Sequence, residues 1–284
     1  MIKMDNLKTY KPTSPGQRFR VTVRRDELYA GKPEKNLTVS LKKHAGRNNT
    51  GRITCRHRGG GSKRKYRIIS VDLPEGFYKV VNLQYDPNRT GYIALVTSEK
   101  THKKYYVLAP VGLKSGDRFS HYVKDDYSLG SRMNLGKIPI GREIYNISNL
   151  QNGTPVYAKS AGSSARLVDI NKGKNTVSIE LPSKELVELS ANCSANLGVV
   201  SNIDNKNKKI GKAGVKRHMG IRPTVRGVAM NPVDHPMGGG EGKSSGGRHP
   251  VTPWGQITKG NATAKYKKNR DHIIRSRKKV RNGG

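Results

Sequence analysis

The feature that most constrains this chain is a long stretch, residues 217–255, that cannot form a core of its own. It reads RHMGIRPTVRGVAMNPVDHPMGGGEGKSSGGRHPVTPWG and shows no apolar period typical of a strand or a helix. Ordering it costs roughly 1–2 kcal/mol of backbone entropy per residue, which burial of its own side chains does not offset. We therefore expect a partner outside the protein to order it. Its glycines, prolines and cations indicate a polyanionic partner, with a nucleic acid as the first candidate.

The distribution of charge supports that expectation. The 284 residues include 55 Lys and Arg against 20 Asp and Glu, a net charge of +35. The net charge is +14 in residues 1–65, +5 in residues 66–200 and +16 in residues 201–284. The middle of the chain therefore resembles an ordinary soluble domain, and the two ends resemble nucleic-acid-binding arms.

The middle of the chain has the pattern of short strands. Val81, Leu83 and Tyr85 alternate with polar residues, and the turn-forming letters DPNRTG follow. Further β-rich runs separated by turns occupy residues 92–96, 104–109, 138–147, 154–158, 166–170, 176–181 and 185–189. In residues 176–181, Val177, Ile179 and Leu181 fall on one face, and neither half shows a long helical pattern. We predict a mainly β fold with two small β-barrels in tandem, at residues 66–125 and 126–200, between basic extensions at residues 1–65 and 201–284.

A glycine-rich basic run precedes the first predicted barrel. Gly59, Gly60 and Gly61 lack side chains, so backbone amides can approach phosphates closely, and Arg56, His57, Arg58, Lys63, Arg64 and Lys65 flank them. A flexible basic linker is the alternative interpretation of this run. A Walker-type phosphate loop is excluded, because the required spacing and the terminal Lys-Ser/Thr pair are absent.

Enzymatic interpretations of the long stretch have weak support. His218, His235 and His249 lie beside Asp234 and Glu241, but no HExxH helix or comparable spacing predicts a metal site. The letters GKSSG match the nucleophile-elbow pattern by chance, because no buried strand precedes them. A metal- or nucleophile-dependent enzyme acting on RNA, centred on His235, Asp234 and Glu241, remains the second hypothesis. A general nucleic-acid chaperone is the third.

Cysteine and hydropathy patterns narrow the class further. Cys55 and Cys193 are isolated, so neither a disulfide framework nor a zinc knuckle is predicted. No apolar run approaches the roughly 20 residues of a membrane span, and no apolar signal core is present. We expect the protein to work where it is made, or after a leader has been removed. The tail, residues 256–284, contains AKYKKNRDHIIRSRKKVR, a charge run that is typically disordered until bound.

One account uses the unusual residues together. Glycines permit a tight path, prolines stiffen it, and cations pair with phosphates, while Trp254 or a histidine stacks on an unpaired base of folded RNA. Packing of Trp254 as the cap of a barrel is the alternative for that residue. The predicted RNA-binding residues are Arg56, His57, Arg58, Gly59, Gly60, Gly61, Lys63, Arg217, His218, Arg222, Arg226, Asn231, Asp234, His235, Lys243, Arg248, His249 and Trp254.

The same residues carry a family resemblance. PTVRGVAMNPVDHPMGGGEG, with GRNNTGRIT, HRGGG, YDPNRT, VLAP, IPIG, AKSAG, HPVTPWG and DHIIRSRKK, resembles the universal large-subunit ribosomal protein number two family, of bacterial or organellar type. The resemblance extends across nearly the whole chain. It differs at LQNGTPVYAKSAG, which lacks a Gly- and Lys-rich run, and at YVKDDYSLGSRMNLGK, which is longer and more acidic than usual.

The resemblance implies a specific fold and function. It implies an oligonucleotide-binding (OB) barrel followed by a Src-homology-three-type barrel, with basic extensions threading into large-subunit ribosomal RNA. It further implies a non-enzymatic role in subunit assembly, in joining of the two subunits and in the architecture around the peptidyl-transferase centre. His235 falls at a histidine once proposed to take part in peptide-bond formation, whereas the safer implication is that Arg226, Asn231, Asp234 and His235 hold a loop near RNA that performs the chemistry.

The expected partners and location follow from the same resemblance. They are large-subunit ribosomal RNA, neighbouring ribosomal proteins and, indirectly, the small subunit and the tRNA region, with no membrane. No cofactor is expected beyond RNA-associated magnesium ions. The expected location is the ribosome of a bacterial cytoplasm or a mitochondrial matrix.

Overall fold

The structure is a computed structural model that describes residues 6–150, 153–261 and 272–276. The chain divides into two compact units. The β unit comprises Met1–Leu41, Lys63–Lys212 and Asp271–Gly284, and the loop unit comprises Lys42–Ser62 and Ala213–Arg270. Residues 42–62 therefore belong to the same unit as the long stretch that follows residue 212, although some 150 residues separate them in the sequence.

The described residues are mainly β. The strands are β1 Leu7–Thr9, β2 Val21–Val23, β3 Thr38–Ser40, β4 Lys65–Arg67, β5 Gly76–Gln84, β6 Ile93–Ser98, β7 Lys104–Leu108, β8 Arg118–His121, β9 Arg132–Asn134, β10 Glu143–Tyr145, β11 Ile147–Ser148, β12 Pro155–Tyr157, β13 Ala165–Asn171, β14 Thr176–Glu180, β15 Leu186–Ser190, β16 Ser194–Leu197 and β17 Ile273–Arg275. The α-helices are α1 Pro15–Arg18 and α2 Ala213–His218, and the 3₁₀ turns are Lys35–Leu37, Leu135–Lys137, Ile203–Asn207 and Gly227–Ala229.

One sheet of the β unit joins eleven of the strands in the described part of the chain. Its order is β17-β15-β14-β13-β10-β16-β9-β8-β5-β6-β7, and its pairs are antiparallel except for β8 with β9. Strands β1 with β2, β3 with β4, and β11 with β12 form two-stranded sheets. The predicted mainly β fold is confirmed, with an OB-like N-terminal part and a C-terminal sheet part. The boundaries of the four predicted segments, and the closure of either part into a barrel, stay predictions.

The two parts of the sheet have separate apolar cores. The first core centres on Tyr78, Val80, Val96 and Phe119, and the second on Leu135, Ile144, Leu167 and Ile179. Val177 and Ile179 are fully buried on one face of β14, and Leu181 packs against the same core, as their spacing predicts. A tandem of two small cores lets a chain of this composition fold without long helices.

Two strand details differ from the sequence patterns. In β5, Tyr78 and Val80 are buried in the core, and Val81 is exposed at a register shift in the pairing with β6. Past the shift Leu83 packs against the same core, and Tyr85, which follows the end of the strand, is exposed. The predicted run at residues 138–147 is not one strand. Pairing begins only at Glu143, after a turn in which Gly141 has φ +85°, and it breaks again at Asn146, where φ is +55°.

The tail prediction is tested only in part. Ile273–Arg275 form β17, which pairs antiparallel with β15, so this piece of the charge run adds a strand to the sheet rather than waiting for a partner. Ile273 packs against the second core, and this apolar contact explains why the strand forms. The rest of AKYKKNRDHIIRSRKKVR, apart from residues 272–276, lies outside the described residues.

A buried arginine lies between the strands of the two parts. Arg132 is 1 % exposed, and its guanidinium donates to the backbone oxygen of Asn146 at 3.1 Å and to Asn196 Oδ1 at 2.9 Å. A third bond reaches Ser194 Oγ at 2.6 Å, and Asp72 lies 3.6 Å from its Nε. A buried charge is tolerated when it is paired and hydrogen-bonded. The two terminal nitrogens of Arg132 meet that condition, whereas Nε has Asp72 only at ion-pair distance and makes no hydrogen bond.

Candidate nucleic-acid interface

Two backbone segments of the loop unit are joined in register. The amide of Gly59 donates to the Gly220 carbonyl at 2.8 Å, and the amide of Ser62 donates to the His218 carbonyl at 2.8 Å. A third bond runs from the Arg222 amide to the His57 carbonyl at 3.2 Å. We call this pairing of residues 57–62 with residues 218–222 the glycine zipper. It places two of the predicted RNA-binding clusters side by side.

Glycine is required at particular positions of the zipper. Gly61 has φ +61°, and a Cβ there would lie 2.7 Å from both the Gly220 nitrogen and the His218 carbonyl oxygen. Gly220 has φ +91°, and a Cβ on it would lie 3.1 Å from the Gly59 carbonyl oxygen. A Cβ on Gly60, by contrast, would meet nothing within 4 Å. The three consecutive glycines are therefore not equivalent, since Gly61 permits a close backbone approach and Gly60 leaves open space.

The end of helix α2 delivers the second strand of the zipper. The Gly220 amide donates to the Arg217 carbonyl at 3.0 Å, and the Ile221 amide donates to the Lys216 carbonyl at 3.0 Å. This is the Schellman arrangement, in which a left-handed glycine satisfies the last carbonyls of a helix. Lys216, Arg217 and His218 occupy the last turn, where the helix dipole favours positive charge. The helix therefore stops at a fixed place and leaves its cations beside the zipper.

A basic cleft lies along the zipper. Its volume is about 260 Å³. It is lined by Ala45, Arg47, Ile53, Arg58, Gly59, Gly60, Gly61, Arg217, His218 and Arg222. Four of these residues are arginines and none is acidic, so the cleft is suited to phosphate groups and repels cations. Arg58, Arg217, His218 and Arg222 are exposed, which leaves their donors accessible to a ligand.

The turn that carries Arg47 is held by one asparagine. Asn48 Oδ1 accepts from the Thr50 hydroxyl at 2.8 Å and from the Thr50 and Arg52 amides at 3.1 and 3.0 Å. Arg47 donates to the Gly51 carbonyl at 2.9 Å and pairs with Ile53 as an isolated bridge. An asparagine that bonds its own backbone neighbours in this way fixes a turn without an apolar core. Arg47 is therefore presented to the cleft by a structured turn.

His235 is the buried member of the next loop. It is 7 % exposed, and its ring lies so close to Gly227 that a Cβ there would fall 2.4 Å from His235 Cε1. The Met237 amide donates to His235 Nδ1 at 3.0 Å. Asn231 accepts through its backbone oxygen from the amides of Asp234 and His235, at 3.0 and 3.3 Å. In the folded chain His235 therefore holds the loop of residues 226–239 together.

Trp254 stands at the tip of a small hairpin. The Gly255 amide donates to the Thr252 carbonyl, and the Gln256 amide donates to Thr252 Oγ1. The Thr258 amide donates to the Pro250 carbonyl, and Val251 pairs with Ile257 as an isolated bridge. Pro253 and Gly255 take the second and fourth positions of the turn, which these residue types favour. Trp254 is 79 % exposed, and the Arg56 guanidinium lies 5.8 Å from its ring centroid. The alternative in which Trp254 caps a barrel is wrong, because the indole faces solvent.

The order of this unit comes from backbone pairing. Within residues 217–255 the buried side chains are those of His235 and Val251, and these two do not form an apolar core. The other side chains are exposed or half-buried. The turns, the glycine zipper and the Thr252–Gln256 pairing supply hydrogen bonds instead. The entropy argument considered side-chain burial alone and missed the backbone pairing with residues 57–62. Ordering of this stretch by an external partner stays a prediction.

The remaining predicted residues are not among those that line the cleft. Arg226, Asn231, Asp234, Lys243 and Arg248 are exposed on their loops. His249 Nε2 lies 3.1 Å from the Lys259 carbonyl oxygen, and His57 and Lys63 are exposed, Lys63 belonging to the β unit. Contact of any of these residues with RNA stays a prediction. Within the described ranges, no group of three or more His, Cys, Asp or Glu side chains is arranged to hold a metal ion.

The sequence reasoning missed some residues of the cleft. Arg47 and Ile53 line it although neither was singled out, and Asn48 shapes the turn that carries them. The signal was present in the letters GRNNTGRIT, since an Asn followed by Thr and Gly is typical of a self-bonded turn. What could not be read was that this turn lies beside residues that follow it by about 170 positions.

The chain has the features of a β-rich nucleic-acid-binding protein. It is mainly β, it is strongly basic, and its basic loops take a path that requires glycine at particular positions. Residues 34–120 match the family described as the RNA binding N-terminal domain of Ribosomal Proteins L2, and residues 128–255 match the C-terminal domain of the same proteins. The chain belongs to the ribosomal protein L2 family. It is a structural protein of the large ribosomal subunit that binds ribosomal RNA.

Individual relatives agree along almost the full length. The chain is 48 % identical to large ribosomal subunit protein uL2 of Cereibacter sphaeroides (strain ATCC 17029) over 282 residues, covering 98 % of this chain and 99 % of the relative. It is 49 % identical to uL2 of Maricaulis maris over 276 residues, covering 95 % of this chain and 97 % of the relative. It is 48 % identical to uL2 of Neorickettsia sennetsu over 279 residues, covering 96 % of this chain and 99 % of the relative.

In the described part of the chain no helix is both long and apolar enough to cross a membrane.

Proposed function

We propose that the loop unit makes the principal ribosomal RNA contact of this protein and that the basic cleft along the glycine zipper is its centre. The observation that carries this proposal is the convergence of Arg47, Arg58, Arg217 and Arg222 on one cleft with no acidic lining residue. Arginine suits such a site because its planar guanidinium forms paired hydrogen bonds with phosphate oxygens. Backbone hydrogen bonds within the chain join the segments of the cleft, which reduces the ordering that RNA binding has to supply.

Stacking supplements the phosphate contacts. Trp254 presents a ring that is 79 % exposed, with the Arg56 guanidinium near it. A base stacked on an aromatic side chain contributes about 1–3 kcal/mol, and such stacking is available only to unpaired bases. The proposed RNA site is therefore a folded region in which a looped-out base lies next to a turn of phosphate backbone.

The proposal assigns the chain a structural role in its particle. Through this contact the protein supports assembly of the large subunit, its association with the small subunit and the architecture around the peptidyl-transferase centre. His235 acts as a positioning residue, because its ring packs on Gly227 and its Nδ1 accepts from Met237. The chemistry belongs to RNA, and no catalytic step is assigned to the chain.

The proposed surroundings follow from the same role. The partners beyond ribosomal RNA are neighbouring ribosomal proteins and, indirectly, the small subunit and the tRNA region, without a membrane. Any magnesium ions would belong to the RNA. The proposed location is the ribosome of a bacterial cytoplasm or of a mitochondrial matrix, and the three relatives named above are bacterial.

The test removes charge from the cleft and leaves the zipper in place. Arg217→Gln with Arg222→Gln in the full chain removes two guanidinium groups, and Lys172→Gln with Lys174→Gln removes two exposed charges from the β13–β14 turn of the β unit as a matched control. We expect the cleft variant to bind a large-subunit ribosomal RNA transcript at least tenfold more weakly than the control, since charge-assisted bonds contribute about 1.5–3 kcal/mol each. We also expect less of it to sediment with large subunits from lysate, and ribonuclease to release the wild-type protein.

Equal binding by the cleft variant and the control would refute the central role of the cleft. Sedimentation of the wild-type protein with large subunits would in that case still occur, because membership of the particle does not depend on which surface makes the contact.

A further inference from the structure

A groove in the β unit differs in character from the basic cleft of the loop unit. Its volume is about 480 Å³, and its lining is more apolar than polar. The lining comes mainly from residues 23–28, 110–113 and 201–204, together with Leu83 and Tyr92. All of these residues belong to the β unit. We call this feature the acidic groove, for the charges described below.

Hydrogen bonds join the segments that line the acidic groove to one another and to the sheet. The Ser201 amide donates to the Ala109 carbonyl at 3.1 Å, and the Tyr92 amide donates to Ser201 Oγ at 3.0 Å. The Tyr29 amide donates to the Leu83 carbonyl at 2.8 Å, which ties the end of the first segment to β5. The groove is therefore part of the hydrogen-bonded framework of the β unit.

Two large aliphatic side chains of the groove are exposed. Val111 is 39 % exposed and Ile203 is 46 % exposed, and both line the groove beside the half-buried Leu28 and Leu83. Apolar side chains that are grouped on a surface and rimmed by polar residues are typical of a site where another molecule binds. The groove therefore offers apolar surface to a partner, which the basic cleft does not.

The charge of the groove is opposite in sign to that of the chain. Three acidic residues line it, Asp26, Glu27 and Asp204, against two arginines. In the whole chain, by contrast, Lys and Arg outnumber Asp and Glu by 55 to 20. None of the three carboxylates takes part in a salt bridge of the described residues. Such a lining disfavours phosphate groups and favours a cation that lies next to an aliphatic side chain.

The neighbouring side chains leave these carboxylates available to a partner. The Arg25 guanidinium lies 3.6 Å from the ring centroid of Tyr85, so an aromatic ring holds this cation. Burial raises the pKa of the Tyr92 hydroxyl, and the nearby carboxylates of Glu27 and Asp204 raise it further, while Arg25 acts in the opposite direction. Glu27 and Asp204 therefore lie close to the same ring, on different segments of the groove.

We propose that the acidic groove binds an extended basic segment of a neighbouring ribosomal protein. Lysine or arginine side chains of the segment pair with Glu27 and Asp204, and an aliphatic side chain packs against Val111 and Ile203. This inference rests on the proposed contact with neighbouring ribosomal proteins, and it gives that contact a place and a chemistry. RNA is the less suitable occupant, because its phosphates would meet three carboxylates.

The first test places a photo-crosslinker in the groove of the assembled particle. In the full chain p-benzoylphenylalanine replaces Val111, in a second chain it replaces Ile203, and in a control chain it replaces Val168, which is 42 % exposed on β13 outside the groove. Large subunits that contain each chain are isolated by sedimentation and irradiated, and the crosslinked peptides are sequenced by mass spectrometry. We expect both groove positions to crosslink the same protein segment, rich in Lys or Arg, in a product that resists ribonuclease. The Val168 position should not capture that segment.

The second test measures the role of the charges. Glu27→Gln with Asp204→Asn removes two charges from the groove and keeps the oxygen that accepts from Asn207. Glu75→Gln with Asp125→Asn removes two exposed carboxylates elsewhere in the β unit as a matched control. The probe is a synthetic peptide with the crosslinked sequence, and its binding to each purified full chain is measured by fluorescence anisotropy. We expect binding to the groove variant to be about 2- to 30-fold weaker than to the control, the combined effect of two exposed ion pairs. Circular dichroism checks that both variants are folded.

Several results would overturn the inference. A crosslink from the groove positions to ribosomal RNA would make the groove part of the RNA interface. No crosslink above that of the Val168 position, or a captured segment without Lys or Arg, would remove the proposed partner. Equal peptide binding by the groove variant and its control would show that the carboxylates do not recognise the segment. Each of these results would leave the RNA contact of the basic cleft in place, because the Arg217→Gln and Arg222→Gln variant tests it separately.

Discussion

Neighbouring glycines of the zipper offer the sharpest test of how the RNA interface is built. Gly60 and Gly61 are adjacent and both lie in the basic run, so sequence reasoning treats them alike. The structure separates them, because a Cβ on Gly61 would be 2.7 Å from two backbone atoms and a Cβ on Gly60 would be in open space. We predict that Gly61→Ala opens the zipper and that Gly60→Ala does not.

The magnitude follows from two contributions. A left-handed conformation costs an alanine roughly 1–2 kcal/mol relative to its usual conformations. The backbone overlap at Gly61 cannot be relieved by a side-chain rotation, so the Gly59–Gly220 and Ser62–His218 hydrogen bonds have to lengthen, and each contributes about 0.5–1.5 kcal/mol. The free energy of opening the zipper should therefore fall by about 2–5 kcal/mol in Gly61→Ala. In Gly60→Ala it should change by less than about 0.5 kcal/mol, as at most exposed positions.

The assay is amide hydrogen exchange followed by RNA binding. The amides of Gly59 and Ser62 report the zipper directly, because each donates one of its bonds. These amides should exchange at least tenfold faster in Gly61→Ala than in the wild type, and at the wild-type rate in Gly60→Ala. RNA affinity should fall only in Gly61→Ala. Equal exchange rates in the two variants would refute the reasoning, since it rests entirely on the different surroundings of these two glycines.

The other predictions concern the buried polar residues of the β unit. Burial and the nearby Arg132 charge lower the pKa of His121 from 6.5 to about 4, so the unfolded chain takes up this proton first as pH falls. The free energy of unfolding should therefore drop between pH 6.5 and pH 4, by about 3 kcal/mol at most. Urea denaturation at several pH values should show a smaller drop for His121→Gln than for the wild type. An equal drop in both proteins would assign the pH dependence to other groups. Arg132→Met should destabilise the fold by about 2–6 kcal/mol, because Asn196 Oδ1 and Ser194 Oγ each lose a buried donor at a cost of about 1–3 kcal/mol. Arg118→Met, which breaks an exposed pair with Glu99, should cost less than about 1 kcal/mol in the same experiment, and a similar loss in both variants would contradict the role given to burial.

The strands were the predictable part of the fold. The runs at residues 104–109, 166–170, 176–181 and 185–189 correspond closely to β7, β13, β14 and β15, because alternation reports directly on which face of a strand is buried. Alternation reports nothing about a register shift, and for that reason it did not separate Val81, which is exposed at the shift, from Leu83, which packs against the first core. Nor does it identify Arg132, since a lone arginine in a polar run looks like a surface residue until its partners, distant in sequence, are known.

The chemistry of the site was predictable for a different reason. Composition alone indicates a polyanion, and the basic glycine run and the long stretch were both recognised as binding segments. Their juxtaposition was not, because it depends on contacts between residues about 160 positions apart that carry no apolar or charge complementarity. The pairing of Lys209 with Val21 of β2 was missed for the same reason, since it is made by backbone bonds alone and the Lys209 side chain gives no sign of that partner.

The origin of order in the loop unit also decides how mutations there should act. In an apolar core each side chain contributes by burial, so many positions share the stabilisation. Here the cleft depends on the backbone bonds between residues 57–62 and 218–222 and on the close approach that Gly61 permits. The arginine side chains line the cleft and take no part in that pairing. Loss of one arginine should subtract one phosphate contact and leave the others in place. Loss of Gly61 should weaken every contact of the cleft at once, because it moves the two segments that carry them, although no charge has been removed.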